Sequence, residues 1–394
     1  MRIYLDHNAT TPLRPEVREA MERVLRDGFG NPSSVAFEGA RARTRVEEAR
    51  EQVASLLSAA PADVRFTSGA TEANNTVLLG LLAPGDDSVG HTRSHSVRHT
   101  GDHVVTTQVE HPSVSAPLEA LAARGLRIAW VAPEASGCVP VAALEAAISE
   151  ETRLVTVIWA NNETGAIQPI EALAAICHAR GIWLHADATQ AIGKLEIDLA
   201  KLPVDSIACS AHKLGGPKGV GALVARDQAA IPPLLLGGGQ ERGRRGGTEN
   251  TIGIAGFGAA CAVAAATGAS QSEVMRTLRD RLWLGIQSAL PGVRWHGDPV
   301  RTLPNTLNVE FESLPGEVLL QALDLEGVAV SAGAACHSGS IEPSKILVAM
   351  GRTPEQARGS LRFSLGFGID SAQIDRTIEL LSKLVPRIRA LAEP

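Results

Sequence analysis

A lysine and an acid close two apolar stretches of the chain, and together they could do chemistry. Lys213 lies in the decapeptide SAHKLGGPKG, directly after a run of strand character, and Asp187 ends a similar run earlier in the chain. Only six of the 37 lysine and arginine residues are lysines. Arginine serves most surface roles of a positive charge, whereas lysine alone forms a Schiff base with a carbonyl compound. Lys213 is therefore a candidate covalent anchor, although a lysine near glycines is more often a solvated loop residue.

The pairing of this lysine with an acid indicates one particular cofactor. Pyridoxal 5'-phosphate (PLP) needs an amine partner, a carboxylate beside its pyridine nitrogen, and N–H and hydroxyl donors around its phosphate. Lys213 and Asp187 supply the first two, and Ser210 and His212 flank the lysine. The sequence therefore predicts a PLP site.

Two further segments place polar residues where a strand ends. Ser68-Gly-Ala70-Thr71 forms a strand-to-helix junction, and the N–H groups of a helix N-terminus can hold a phosphate. The alternative is that Thr71 only caps the helix. His111 also follows a strand, and its imidazole could stack on a cofactor ring and move protons, although a lone histidine is more often a hydrogen-bonded structural residue.

A cysteine and an arginine stand in contexts that suit a reaction with an amino acid. Cys336 lies in SAGAACHSGS, a run of small residues that should leave its thiol exposed and reactive; an incidental surface cysteine is the alternative. Arg362 lies inside an apolar strand and needs a planar anion, either a substrate carboxylate or a structural acid. The other four cysteines, at positions 138, 177, 209 and 261, are predicted to be small buried hydrophobes.

Short apolar runs alternate with helical patterns between about residues 40 and 230, which predicts an α/β fold with a mainly parallel sheet. Strands are predicted at 64–67, 103–109, 127–131, 154–159, 182–186, 206–210 and 221–225. A glycine-rich loop at 237–251 precedes a long helix and a strand-helix-strand pattern. We expect a large domain (15–255) and a smaller α+β domain (1–14 plus 256–394).

Composition bounds the possible partners. The 394 residues carry a net charge of −6, with 44% hydrophobic and 20% charged residues, which is ordinary for a soluble protein and argues against nucleic acid as a partner. No signal peptide is evident, the apolar stretch 253–266 is too short to cross a bilayer, and no CxxC pair occurs. A cytoplasmic protein without a membrane partner is expected.

The segment 86–102 has the composition of a surface insertion. Histidines lie at positions 91, 95 and 99, and another follows the segment at 103. This spacing of four would place them on one helix face, where they could bind a metal. Glycines flank the segment and no apolar stripe would hold such a helix, so a surface loop is the better interpretation and no metal is expected.

Many of these segments, in order along nearly the whole chain, resemble the PLP-dependent cysteine desulfurases of the nitrogen-fixation and iron–sulfur-cluster assembly type, in the class V aminotransferase family. They are YLDHNATTP (4–12), GNPSS (30–34), TSGATEANN (67–75), Glu110-His111, NNETG (161–165), HADATQ (185–190), SAHKLGGPKG (210–219), GGGQERGRRGGTEN (237–250), the Cys336 loop and Arg362. The resemblance implies the fold of fold-type I PLP enzymes, with a mainly parallel seven-stranded sheet.

The resemblance also implies a role for individual residues. The covalent anchor would be Lys213 and the nucleophile Cys336, while Arg362 would hold the substrate carboxylate. The remaining cofactor contacts would be Asp187 at the pyridine nitrogen, His111 stacked on the ring, Gln190 and Asn162 near the ring oxygen and the substrate, Ala70, Thr71, Ser210 and His212 at the phosphate, and Thr248 from a neighbouring subunit. The last contact implies a homodimer.

The activity implied is conversion of L-cysteine to L-alanine, with the sulfur carried as a persulfide on Cys336 to a protein acceptor. Because His337 and the histidine-rich segment are also similar to selenocysteine lyases, release of selenium from L-selenocysteine is the alternative. A non-catalytic sulfur-assembly scaffold would not need Lys213, Asp187 and His111 together. An aminotransferase would leave the Cys336 loop unexplained.

Overall fold

The computed structural model describes residues 2–82, 101–332 and 342–392. In these ranges the strands are β1 (Ile3–Tyr4), β2 (Val64–Thr67), β3 (His103–Thr107), β4 (Arg127–Val131), β5 (Thr152–Ile158), β6 (Trp183–Asp187), β7 (Ser206–Ser210), β8 (Gly221–Ala225), β9 (Val293–Trp295), β10 (Thr306–Phe311), β11 (Val328–Ala329) and β12 (Ser360–Ser364). The helices are α1 (Pro15–Asp27), α2 (Phe37–Leu56), α3 (Ala70–Leu82), α4 (Pro112–Ala122), α5 (Val141–Ala147), α6 (Ile170–Arg180), α7 (Gln240–Gly243), α8 (Thr251–Ala289), α9 (Gly316–Leu325), α10 (Lys345–Ala349), α11 (Pro354–Arg358) and α12 (Ser371–Ala392).

A seven-stranded sheet with the order β2-β8-β7-β6-β5-β3-β4 forms the centre of the protein. Its strands are parallel except β8, which runs antiparallel to both β2 and β7. The central strands β6 and β7 are buried along their whole length because helices cover both faces of the sheet. The predicted α/β class with a mainly parallel seven-stranded sheet is confirmed.

The bounds of the predicted strands are close to those observed. β2, β4, β7 and β8 agree with the prediction, β3 is two residues shorter, and β5 begins two residues earlier and ends one residue earlier. β6 starts one residue later and ends on Asp187, because this residue still pairs with Ile158 of β5. The acid therefore lies within the strand rather than after it.

A second apolar core surrounds the antiparallel sheet β12-β10-β9. The N-terminal strand β1 pairs in parallel with β11, which joins the start of the chain to its C-terminal part. The long helix α8 contributes to both cores: Phe257 packs against the central sheet and Leu282 packs in the second core. The domain boundary after residue 255 remains a prediction and falls within the first turns of α8.

The helix α8 extends well beyond the apolar stretch 253–266 that its sequence suggested. Its length and composition would suffice to cross a membrane. That test is also passed by the core helices of soluble proteins, and the apolar side chains of α8 pack into both cores of this protein. The helix therefore carries no argument for a membrane.

The four cysteines predicted to be buried are buried and free: Cys138, Cys177, Cys209 and Cys261. Burial raises the pKa of the Cys177 and Cys209 thiols to about 12, so neither is a ready nucleophile. Cys336 and residues 86–100 of the predicted insertion lie outside the described residues.

Strand β8 begins at a glycine that allows a close approach between two backbones. A Cβ on Gly221 would lie 2.4 Å from the carbonyl oxygen of Cys209 and 2.7 Å from the Cα of Gly69. Gly221 is also the register partner of Thr67 in β2 and of Ser210 in β7. Only glycine leaves room for the turn that leads into α3.

We expect Gly221→Ala to lower the free energy of unfolding by about 1–3 kcal/mol, because the added methyl group must displace backbone on both sides. Urea unfolding followed by circular dichroism measures the loss. Gly239→Ala is the matched control, since a Cβ at position 239 meets none of the described atoms within 4 Å. Equal midpoints for the two variants would contradict the close-packing argument.

Candidate active site

A cavity of about 470 Å³ opens at the carboxyl ends of the central parallel strands, which is the usual place and size for a small-molecule site in this class of fold. Nine of the twelve residues predicted to form the site line it: Ala70, Thr71, His111, Asn162, Asp187, Gln190, Ser210, His212 and Lys213. The structure therefore brings together residues that are up to 143 positions apart in sequence.

Three predicted site residues do not line this cavity within the described part of the chain. Thr248 is exposed on the loop that precedes α8, and Cys336 lies outside the described residues. Arg362 is buried in β12, where its Nη2 donates to Asp6 Oδ1 (2.6 Å) and its Nη1 donates to the Asn162 carbonyl oxygen (2.9 Å). The structural ion pair that the sequence left open for Arg362 is thus present.

Lys213 ends a short 3₁₀ turn, residues 211–213, that follows β7. Its Nζ donates to the carbonyl oxygens of Asn8 (2.6 Å) and Ala9 (2.7 Å), which belong to the segment after β1. Burial, aided by the positive charge of Arg362, lowers the pKa of Lys213 to about 8. A much larger fraction of this amine is therefore neutral, and hence nucleophilic, near physiological pH than is usual for lysine.

Asp187 presents a buried carboxylate at the end of β6. Its Oδ2 accepts a hydrogen bond from Asn74 Nδ2 (2.8 Å) and its Oδ1 accepts one from the Thr189 amide (3.0 Å). The side chain of Thr189 also lines the cavity, and its buried Oγ1 has no partner among the described residues. Such an orphaned hydroxyl fits a site that binds a polar ligand.

His111 forms the N-cap of α4 and lines the same cavity. Its Nδ1 accepts a hydrogen bond from the Ser113 amide at 3.1 Å. Because a backbone N–H can only donate, Nδ1 carries no proton and the ring proton lies on Nε2. Burial lowers the pKa of His111, so the imidazole is neutral at physiological pH.

The lining of the cavity also has the donors that an anion needs. It includes the turn Ser68–Gly69 at the N-terminus of the 13-residue helix α3, together with Ser210 and His212. Glu72 in the first turn accepts from the Ser68 amide (2.8 Å), and its charge is offset by Arg245 at 2.9 Å. The helix end is therefore free to attract a phosphate.

These observations meet the requirements of PLP. The cavity offers one amine of lowered pKa, a fixed carboxylate, an imidazole in its wall, and an anion site at a helix N-terminus. Lys213, Asp187, His111 and Thr71 would each meet a different part of the cofactor.

Several polar residues that support the site had no role predicted from the sequence. Asn8 joins the N-terminal segment to the cavity through its carbonyl oxygen, which accepts from both Gln190 and Lys213. Lys194 donates to Gln190 Oε1 (2.9 Å), and burial lowers its pKa to about 7. The sequence did contain a signal for Lys194, because it is one of only six lysines and follows Gln190 by four residues. Asn74 is one residue of the TSGATEANN segment, and the sequence predicted no role of its own for it.

Glu110 is a second buried acid beside the site. Its Oε1 accepts from the Thr107 hydroxyl (2.6 Å) and the Ile158 amide (2.9 Å). Complete burial raises its pKa to about 8, so Glu110 is largely protonated at neutral pH. It therefore adds no full negative charge next to Asp187.

The chain is similar to known proteins over nearly its whole length. The family model of class-V aminotransferases matches residues 3–377. The chain is 43% identical over 395 aligned positions to cysteine desulfurase IscS of Serratia proteamaculans, covering 99% of this chain and 94% of that protein. A solved NifS-like protein superposes with a TM-score of 0.88 and 34% identity over 98% of this chain and 100% of that chain.

A solved structure of SspA in complex with cysteine also matches, with a TM-score of 0.79 and 32% identity over 93% of this chain and 99% of that chain. The resemblance inferred from the sequence motifs is confirmed by these matches. On the evidence of its fold, its cavity and its relatives, this chain belongs to the class-V aminotransferase family.

Proposed function

We propose that this protein is a PLP-dependent cysteine desulfurase that converts L-cysteine to L-alanine and carries the sulfur on Cys336. The observation that carries the proposal is the convergence of Lys213, Asp187 and His111 on one cavity. The names of the relatives support cysteine as the substrate, and none of the matches quoted above favours selenocysteine.

The residues that line the cavity would each have a distinct role. Bound PLP supplies an electrophilic carbonyl and a ring that accepts an electron pair. Asp187 would hold the pyridine nitrogen in its protonated form, and His111 would lie against the ring with its Nε2–H available for proton transfer. The amides of Gln190 and Asn162 would hold the ring oxygen. Ala70, Thr71, Ser210 and His212 would hold the phosphate.

Lys213 acts twice. Its neutral amine would hold the cofactor covalently, and the same amine, once free, would be the base that takes the proton from the substrate Cα. The lowered pKa of Lys213 suits both steps, because each requires an unprotonated nitrogen. Lys194 supplies no nucleophile because it does not line the cavity; its Nζ donates to both Gln190 oxygens and holds that side chain in place.

Arg362 would bind the substrate carboxylate. A guanidinium has five N–H groups, and two contacts, with Asp6 and with the Asn162 carbonyl, fix its plane. Its Nε is buried and has no partner among the described residues. The remaining N–H groups are therefore available to an anion that enters beside Asn162.

Sulfur transfer needs no external oxidant or reductant. The Cys336 thiolate attacks the substrate sulfur, so that an S–S bond forms and the substrate Cβ–S bond breaks. The electron pair of that bond stays on Cβ, which takes up a proton to become the methyl group of alanine. The products are L-alanine and a persulfide on Cys336, which passes its outer sulfur to a protein acceptor.

We further infer a cytoplasmic homodimer in which the partner subunit's Thr248 contacts the phosphate. In support, Thr248 is exposed and lies outside the cavity of its own chain. Exposed Leu236 on the same loop adds apolar surface suited to a subunit contact. Iron–sulfur-cluster assembly is the proposed setting for the protein acceptor.

The pH dependence of cofactor capture tests the role of Lys213. Because only the neutral amine reacts, the rate at which the apo-protein captures PLP should rise with pH, with a midpoint near 8, and level off above it. Stopped-flow absorbance measures the rate, and Lys213→Ala should abolish the stable band of the attached cofactor. Capture with a midpoint near that of free lysine, about 10.4, would exclude the lowered pKa.

Replacement of Cys336 tests the nucleophile. Cys336→Ala should bind PLP as the wild type does yet form no alanine from L-cysteine beyond the uncatalysed background, because no thiol remains to accept the sulfur. Alanine and sulfide are measured by chromatography and by a methylene-blue assay. Cys138→Ala, which removes a buried thiol that does not line the cavity, is the control. Unchanged alanine formation in the Cys336 variant would remove this residue from the mechanism.

A further inference from the structure

We propose that Asn74 is a positioning residue whose side-chain amide holds Asp187 and His111 in one hydrogen-bonded array. The inference rests on the proposed function, since it concerns the two groups that would contact the PLP ring. Asn74 lies on α3, is fully buried, and does not itself line the cavity. It therefore acts through its neighbours.

All three polar positions of the Asn74 amide are used. Nδ2 donates one proton to Asp187 Oδ2 (2.8 Å) and the other to Ser113 Oγ (2.8 Å). Oδ1 lies 2.9 Å from His185 Nε2. A side-chain amide offers two donors and one carbonyl acceptor, so this site satisfies it without any spare group.

The direction of each hydrogen bond follows from the chemistry of the partners. An ionised carboxylate only accepts, so the NH₂ of Asn74 must face Asp187 and its carbonyl must face His185. His185 Nε2 therefore carries the ring proton, and its Nδ1 accepts from Ser206 Oγ at 2.9 Å. The Trp183 indole N–H donates to the same hydroxyl (2.9 Å), which leaves the Ser206 proton for His185.

The second branch of the array reaches the imidazole in the cavity wall. Ser113 Oγ accepts from Asn74, so its own proton points to His111 Nδ1, 2.8 Å away. The Ser113 amide donates to the same nitrogen. Two donors on Nδ1 keep the His111 proton on Nε2, the nitrogen available to the cavity. One amide thereby orients both the acid and the imidazole.

An amide, rather than an acid of the same shape, is required at position 74. An aspartate there would bring a second carboxylate to within about 2.8 Å of Asp187 Oδ2. Two buried like charges at that separation cannot both stay ionised. The titratable groups around Asp187 in the described part of the chain include His111, Lys213, Glu110, His185 and Cys209, and the new acid would compete with them for protons.

The first test compares Asn74→Asp with Asn75→Asp. The control adds the same charge one residue later on α3, where the Asn75 amide contacts backbone carbonyl oxygens instead. In the apo-protein, ¹⁵N NMR should show His185 as the neutral Nε2–H tautomer in the wild type. In Asn74→Asp its pKa should rise from about 4, because the two acids share one proton and the remaining negative charge then lies partly on the side chain that faces His185.

The same pair of variants is then titrated with PLP. Asn74→Asp should raise the dissociation constant at least about tenfold, the expected effect of losing a hydrogen bond to a charged group, while Asn75→Asp changes it about twofold or less. A wild-type dissociation constant in Asn74→Asp, with an unchanged His185 titration, would overturn the inference.

A second pair of variants does not depend on the folding of Asn74→Asp. His185→Gln keeps an N–H donor for Asn74 Oδ1 and should retain the wild-type dissociation constant for PLP. His185→Leu removes that donor and lets the Asn74 amide rotate. It should raise the dissociation constant for PLP about tenfold. Equal weakening in both variants would indicate a packing role for His185 and would contradict the array.

The two proposals fail in different ways. Wild-type protein that binds PLP but forms no alanine from L-cysteine would refute the proposed function, whereas the NMR and binding measurements on Asn74 and His185 variants would still decide the inference. Thermal unfolding of each variant, compared with its control, separates loss of fold from loss of positioning.

Discussion

The rest of the active site depends on the burial of one carboxylate. Asp187 lies at the end of the central strand β6, only 3% exposed, where an ionised group is costly unless hydrogen bonds replace water. In place of water, the Asn74 side chain donates a hydrogen bond to one oxygen of Asp187 and the Thr189 amide donates one to the other. The neighbouring acid Glu110 avoids a second charge because burial raises its pKa. The site thus keeps a single negative charge where a pyridinium would need one.

The segment after β1 connects the active site to the second core. The Asn8 side chain donates to Thr306 Oγ1 (2.9 Å) in β10 and accepts from Asn305 Nδ2 (3.0 Å), so it belongs to the second core. Its carbonyl oxygen meanwhile receives the Lys213 amine. Because the reactive amine is oriented by this segment, the second core must pack correctly on the central sheet before the cavity has its final geometry.

Strand and helix periodicity predicted most of the fold and the edge of the sheet at which polar residues that follow buried strands meet, whereas the roles of Gln190 and Asn162 followed only from the family resemblance. The supporting residues had no such signal. Asn74 has the same spacing as any buried helical residue, and His185 the pattern of an ordinary strand residue. The partner of Arg362 could not be predicted, since Asp6 reaches it only when the N-terminal segment forms its bridge to Ser364.

The positive charges of the site repel one another. Lys213, Lys194 and Arg362 lie close enough for Arg362 to lower the pKa of both lysines, in addition to the larger effect of burial. Asp6 and Asp187 offset only part of this charge. An anionic phosphate and a substrate carboxylate would supply the remaining negative charge, so ligand binding should relieve repulsion as well as form contacts. Burial and, to a smaller extent, this repulsion lower the pKa of Lys213 and keep its amine reactive, which links the stability of the site to its chemistry.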